Sequence, residues 1–201
     1  MADKEILIFV EGPSDKVFLE AYLYFLEDIP IKNFKVKDVT GKDNLSKRLL
    51  EIEKYDKTLI IFDADKDYES NKKEILSKTQ QKITEEQIFL FPNNQDDGDL
   101  ETLLLKIAKH DEFLKCFEGY LECIKSKEHY KPIKNIRKNM LYAYLEALGL
   151  ENLTKTNIGV FDDKGKIKEE HKEEYEKLKE VIDFNSKSLI PLKDFLGQFA
   201  K

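Results

Sequence analysis

The sequence predicts an α/β fold, a compact and mainly parallel four-stranded sheet flanked by helices, with a C-terminal helical annex. Two observations carry this prediction. Residues 6–10 and 59–62 are short, continuous apolar runs, which is the pattern of strands buried on both faces. The segments between the apolar runs have the periodicity of amphipathic helices, so strands and helices alternate along the first half of the chain. Such alternation is typical of a parallel sheet with right-handed crossovers.

The first half contains four predicted strands joined by helices. After the first strand, Phe18, Ala21, Tyr22 and Phe25 recur at helical spacing and predict a helix over residues 14–26. The other elements predicted here are strands at 34–39 and 87–91, a helix at 44–54, a polar crossover helix within 69–82 and a short apolar helix at 103–108.

The second half of the chain is predicted to be helical, with helices at 113–124, 133–148 and 169–182. Since no Pro- or Gly-rich linker intervenes, we predict an α/β core at 1–110 and a helical annex at 111–201 packed on that core. The apolar tail at 190–199 is expected either to dock on the domain or to meet a partner subunit. Cys116 and Cys123 have no His or Cys partners at metal-ligand spacing and are predicted to be reduced, buried packing residues.

The composition indicates a globular protein and limits its partners. The chain has 201 residues, 37% of them charged, and a net charge of −6. No apolar run approaches the roughly 18 residues that span a bilayer, and the N-terminus lacks a signal peptide's apolar core, so we predict a cytoplasmic protein with no membrane contact. The acidic balance argues against strong non-specific binding to nucleic acid, although a bound divalent ion would reverse the field locally.

Carboxylates follow directly after the apolar run at 59–62. Asp63, Asp65 and Asp67 lie just past its carboxyl end, where ligands bind in open α/β sheets. In an extended chain Asp63 and Asp65 would point to the same side and share one ligand. Mg²⁺ or Mn²⁺ suits such a set of hard oxygen donors. The alternative is an acidic, solvated turn, because Asp is a common turn residue.

Two further strands also end in acids. Glu11 follows the first strand, and Asp15 opens the next helix after a tight Gly-Pro turn. The fourth strand runs into an acidic loop in which Asp99 and Glu101 begin a helix. For these last two residues the alternative is a capped helix with a glutamate in its first turn, stabilised by the helix dipole.

The acidic motifs resemble those of the Toprim domain, which topoisomerases, bacterial primases, recombination mediators and OLD-family nucleases share. The resemblance rests on a strand ending in Glu11-Gly-x-x-Asp15, followed well downstream by a strand ending in Asp63-x-Asp65. The Gly-Asp-Leu-Glu stretch ending at Glu101 is similar to the late acidic motif of OLD-type Toprim domains. The resemblance implies divalent-metal-dependent phosphodiester chemistry.

The same resemblance implies roles for individual residues. Glu11 would be the acid/base or a ligand, and Asp67 an additional ligand or a helix cap. OLD proteins commonly have Glu where Asp15 stands, so the shorter side chain leaves its direct coordination open. The implied ligands of two Mg²⁺ or Mn²⁺ ions are Glu11, Asp15, Asp63, Asp65, Asp99 and Glu101.

OLD-family nucleases also carry a lysine in a helix after the acidic motifs. The stretch Lys-Asn-Met-Leu-Tyr-Ala-Tyr-Leu is similar, which names Lys138, with Lys134 on the same helix face, as the side chain that would stabilise phosphate charge. The alternative is that both lysines extend from the helix end to solvent.

Two functions follow from these inferences. The first is a stand-alone, OLD-like Toprim nuclease whose substrate is nucleic acid. The second is a non-catalytic Toprim-fold binding or scaffold module for nucleic acid or a protein partner. The sequence leaves open a homodimer and the choice among DNA, RNA and nucleotide, since no basic groove with interleaved aromatic residues stands out.

Overall fold

The computed structural model describes residues 5–26, 31, 33–131, 136, 139–154 and 168–199. Within these ranges it confirms the α/β fold, because all four strands pair in parallel and helices cover both faces of the sheet. The strands are β1 (Ile6–Val10), β2 (Phe34–Asp38), β3 (Lys57–Asp63) and β4 (Ile88–Phe91).

The strand order is β2-β1-β3-β4, so β1 and β3 are neighbours at the centre of the sheet. Val10 of β1 lies opposite Asp38 of β2 and Ile61 of β3, and Asp63 lies opposite Phe91 of β4. Because the strands are parallel, their last residues end at one side of the sheet. This side, formed by Val10, Asp38, Asp63, Phe91 and the loops after them, is here termed the carboxyl edge.

Eight α-helices occur in the described ranges. In chain order they are α1 (Pro13–Phe25), α2 (Leu49–Ile52), α3 (Tyr68–Lys78), α4 (Leu100–Ile107), α5 (Asp111–Lys125), α6 (Met140–Ala147), α7 (Lys172–Val181) and α8 (Ile190–Gly197). None of them combines the length and the apolar character needed to cross a bilayer.

The helix predicted at 44–54 is instead a 3₁₀ helix, Lys42–Arg48, followed by the single turn of α2. Asn44 gives the physical reason. Its backbone N–H bonds to the carbonyl of Gly41, three residues back, at 3.0 Å. Its side-chain amide donates to the carbonyl of Thr40 at 2.8 Å. In an α-helix the backbone N–H of Asn44 would have bonded to that carbonyl.

The two faces of the sheet bury separate clusters. Along β1, Ile8 and Val10 pack with α1, whereas Leu7 and Phe9 pack on the opposite side with α3, as the period of two in a strand requires. The first cluster continues into the helices after residue 110. Its members there are Leu114, Met140, Leu141, Tyr144, Leu145, Leu150, Tyr175, Leu178, Val181, Ile182, Leu189, Leu192, Phe195 and Leu196. These helices therefore share a core with the sheet, while the division at residue 110 stays a prediction.

The chain's last helix docks on the domain. Phe195 of α8 is buried, and its ring lies 5.4 Å from that of Phe89 in β4, measured between centroids. The expectation that the tail docks on the domain is therefore confirmed, while its contact with a partner subunit stays a prediction.

The prediction of buried cysteines is wrong, because Cys116 and Cys123 are exposed. The buried face of α5 carries Leu114 and Leu121 instead.

Candidate functional site

The carboxyl edge concentrates buried acidic side chains. Glu11 follows β1 and is 9% exposed, and Asp63 ends the neighbouring β3 and is 1% exposed. Asp15 in the first turn of α1 is 5% exposed, and Glu101 in the first turn of α4 is 2% exposed. Buried carboxylates are unfavourable unless they are paired, hydrogen-bonded or bound to a cation, so the partners of each acid indicate what the edge can do.

Asp63 is hydrogen-bonded to the start of α4. Its Oδ1 accepts a hydrogen bond from the backbone N–H of Leu100 at 3.0 Å. A carboxylate at this position satisfies one of the helix's unpaired N–H groups and interacts favourably with its dipole. Glu101, in the same first turn, also benefits from that dipole.

Asp65 does not continue the extended strand. Its φ of 53° turns the backbone, and it forms an antiparallel bridge with Gly98 through two hydrogen bonds of 2.7 Å. At Gly98 φ is 140°, and a Cβ would lie 3.1 Å from both Pro92 Cδ and Thr102 Oγ1, so glycine is required there. The extended backbone expected at Asp65 is therefore wrong, because the chain has already turned there, while a ligand shared by Asp63 and Asp65 stays a prediction.

Lys42 joins the ends of β1 and β3. Its ammonium forms an ion pair with Asp65, lies 3.9 Å from Glu11 Oε2, and donates to Asn71 Oδ1 at 2.6 Å. The lysine side chain is only 12% exposed. Sequence analysis missed this residue, although it follows β2 directly beyond Gly41. Ligands in open α/β sheets bind beyond the carboxyl ends of the strands, and the segment after β2 is one of these positions, so this rule predicts a role for Lys42.

Asp15 caps its own helix. Its Oδ2 accepts a hydrogen bond from the backbone N–H of Gly12, the residue just before α1, at 2.8 Å, and so satisfies a donor at the start of that helix. One of its oxygens therefore already has a structural partner.

Asp67 and Asp99 are also helix caps. Asp67 accepts from the N–H of Ser70 at 2.9 Å and begins α3, as one of its two predicted alternatives requires. Asp99 begins α4 and accepts from the N–H and the hydroxyl of Thr102, at 2.8 and 2.6 Å. Asp67 is exposed and Asp99 is partly buried.

Tyr142 brings α6 close to this edge. Its hydroxyl is buried and has no hydrogen-bond partner among the described residues. Burial, and then the negative charges of Asp15 and Asp38, raise the pKa of this phenol to about 12. Its protonated hydroxyl is thus a donor facing an acidic environment.

The carboxylates suit Mg²⁺ or Mn²⁺ by their chemistry, since both ions prefer hard oxygen ligands. Over the described part of the chain, however, no group of three or more Asp, Glu, His or Cys side chains is arranged to hold a metal ion. Existing bonds account for part of this: Asp15 and Asp63 accept from backbone N–H groups, and Asp65 pairs with Lys42.

One protein family matches residues 5–201, which is nearly the whole chain. The chain belongs to DUF3226. The family is described as proteins of unknown function, so membership fixes no activity. Neither the curated proteins nor the solved structures contain a match to the chain.

The two lysines predicted for this DUF3226 chain, Lys134 and Lys138, lie outside the described residues. Of the helix predicted at 133–148, the structure describes α6, which begins at Met140, two residues after Lys138. The part played by either lysine stays a prediction.

Proposed function

We propose that this chain is a divalent-metal-dependent phosphodiesterase that cleaves nucleic acid, as the Toprim-like motifs imply. The observation that carries the proposal is the burial of Glu11, Asp63 and Glu101, at 9%, 1% and 2% exposure, on one edge of the sheet. Proteins rarely bury several carboxylates together unless a cation or a set of donors compensates their charge. In folds of this class that edge is also where ligands bind.

Individual residues have different parts in the proposal. Glu11, directly after β1, and Asp63, at the end of the neighbouring β3, would be the main ligands, together with Asp65 and Glu101. Asp15 and Asp99 already cap helices and would contribute through their remaining oxygens. A bound Mg²⁺ or Mn²⁺ would supply Lewis-acid stabilisation of charge on a phosphate. Glu11 would accept the proton of the attacking water, as the resemblance implies.

Nucleic acid as the substrate and a cytoplasmic location belong to the same proposal. The net charge of −6 gives no general attraction to phosphates. Recognition would therefore depend on local contacts at the edge rather than on the field of the whole chain.

A second function, a binding or scaffold module, is favoured by the Lys42 ion pair. That ammonium supplies positive charge to Asp65 and, at 3.9 Å, to Glu11, so the edge is partly neutralised by the chain itself. In this alternative the acids hold the fold together or contact a partner, which could be another protein or a second copy of the chain.

Cleavage assays with matched variants separate the two functions. The purified chain is incubated with supercoiled plasmid, single-stranded DNA and structured RNA, each with Mn²⁺, Mg²⁺ or EDTA. Glu11→Gln and Asp63→Asn keep the side-chain shape and remove the charge, so both are expected to abolish cleavage. Glu86→Gln alters an exposed glutamate before β4, at the other end of the sheet, and is expected to leave cleavage intact.

The metal-dependent activity requires cleavage that EDTA stops and that both edge variants lose. Cleavage that persists in both variants would come from a contaminant or another site. If the folded wild-type chain cleaves none of the substrates with either ion, the nuclease proposal fails and the binding module becomes the leading function.

A further inference from the structure

The loop after β2 holds Lys42 over the ends of β1 and β3. The backbone N–H of Val39 donates to the carbonyl of Val10 at 3.0 Å, and that of Gly41 donates to the carbonyl of Glu11 at 2.9 Å. These two bonds extend the pairing of β2 with β1 beyond the last strand residues. Lys42 follows immediately, so its position is set by the backbone and not only by its ion pairs.

The ammonium has oxygen neighbours from three elements of the fold. They are the carboxylate of Glu11 after β1, the carboxylate of Asp65 after β3 and the side-chain amide oxygen of Asn71 in α3. The side chain of Asn71 is itself held by the turn before α3, because its amide donates to the carbonyls of Ala64 and Asp67. A group of hard oxygens around one positive charge, with the lysine 12% exposed, resembles in its chemistry a binding site for a small cation.

We propose that the Lys42 ammonium occupies the cation position between Glu11 and Asp65 and competes with a divalent ion for those two carboxylates. The inference rests on the proposed function in so far as that function requires a divalent ion. A metal ion that binds both carboxylates must move the ammonium away, since like charges at this spacing repel. The lysine then sets how tightly the edge holds a metal.

Metal affinity measured on three proteins tests the inference. Binding of Mn²⁺ is followed by loss of the free-ion electron paramagnetic resonance signal for wild type, Lys42→Met and Lys78→Met. Lys78 is the matched control, because it is a partly buried lysine paired with Asp43 of the same 3₁₀ helix and with Glu74, and with no acid of the carboxyl edge. We expect Lys42→Met to bind Mn²⁺ at least about tenfold tighter than wild type, and Lys78→Met to bind like wild type.

The outcomes separate this inference from the proposed function. Binding by wild type that is unchanged or weaker in Lys42→Met overturns the inference and leaves the function standing. Binding by Lys42→Met alone supports the inference and contradicts metal dependence in the natural chain. Absence of binding to both proteins overturns both.

If Lys42→Met does not fold, a labelling measurement on the wild-type chain tests whether a metal ion displaces the Lys42 ammonium. An amine-reactive ester labels lysines in excess Mg²⁺ or in EDTA, and mass spectrometry follows Lys42 with Lys78 as the internal standard. Displacement of the ammonium predicts faster labelling of Lys42 in Mg²⁺ with Lys78 unchanged. Equal labelling of Lys42 in both conditions overturns the inference.

Discussion

Asp63 and Leu100 are joined by a hydrogen bond of 3.0 Å between the carboxylate Oδ1 and the backbone N–H. The bond links the end of β3 to the first residue of α4, and Asp63 is 1% exposed. A carboxylate in this position has a structural task whether or not it also binds a metal ion. Comparing a substitution that removes only the charge of Asp63 with one that also removes its acceptor oxygen therefore shows which of the two stabilises the fold.

Asp63→Ala is expected to lower the free energy of unfolding by about 1–3 kcal/mol, because the buried N–H of Leu100 loses its acceptor. Asp63→Asn keeps an acceptor oxygen and is expected to lower it by less than about 1 kcal/mol. Urea titrations of the two variants and wild type give these values. Equal losses in both variants would mean that the charge of Asp63, and not its hydrogen bond, stabilises this region.

Substitutions of Asp67 test whether this helix cap at the carboxyl edge is also a metal ligand. Asp67→Ala is expected to cost about 0.5–2 kcal/mol of unfolding free energy, whereas Asp67→Ser should recover most of it, since serine also caps helices. Metal-dependent cleavage, where present, should be equal in Asp67→Ser and wild type. A stable Asp67→Ser variant that loses cleavage would instead make Asp67 a ligand.

The strands and the side of the sheet that collects the acids could be predicted from sequence. Apolar runs such as Ile6–Val10 leave little choice of element, and parallel pairing then brings the residues after them to one edge. Asp99 illustrates the same success at a helix start, because a short polar residue before an apolar run has a strong capping preference.

The structure differs from the sequence-based prediction where residues distant in sequence interact, or where a side chain bonds to the backbone. Nothing local to Asp65 reveals its φ of 53°, because the bridge to Gly98 across the loop imposes it. Nor does the sequence near Lys42 show its partners, which are 31 positions before it at Glu11 and 23 after it at Asp65. The side-chain amide of Asn44 bonds to the carbonyl of Thr40 in place of the backbone N–H that an α-helix would use. The spacing of apolar residues along the sequence does not predict such a bond.

Tyr144 in α6 connects two other segments of the chain, the end of α7 and the residue before α5. Its hydroxyl donates to the carbonyl of Val181 at 2.6 Å and accepts from the N–H of His110 at 3.2 Å, and the residue is 2% exposed. Tyr144→Phe removes both bonds without opening a cavity, so we expect the free energy of unfolding to fall by about 1–2 kcal/mol in urea titration. Tyr120→Phe, at an exposed position of α5, should change it by less than about 0.5 kcal/mol. Equal values for the two variants would contradict a stabilising role for these bonds.

The raised pKa of Glu20 in α1 makes the stability of the fold depend on pH. Burial raises its pKa from 4.5 to about 7, although Lys16, 3.8 Å away, acts in the opposite direction. Below pH 4.5 both the folded and the unfolded chain hold this proton, so burial of the side chain has no ionic cost. Between pH 4.5 and 7 the unfolded chain releases the proton while the folded chain keeps it, and stability falls by up to about 3 kcal/mol. Above pH 7 both states are ionised and the loss stays constant.

Glu20→Gln removes this titration and keeps the shape of the side chain. Relative to wild type, the variant should gain up to about 3 kcal/mol of unfolding free energy at pH 8 and almost none at pH 4.5, as urea titrations at the two values would show. Glu173→Gln, at an exposed position of α7, corrects for the loss of one negative charge and should show no such difference between the two pH values. A gain from Glu20→Gln of equal size at pH 4.5 and pH 8 would come from packing or net charge and would contradict the raised pKa. A gain confined to pH 8 would show that ionised Glu20 opposes the packing of α1 under neutral conditions.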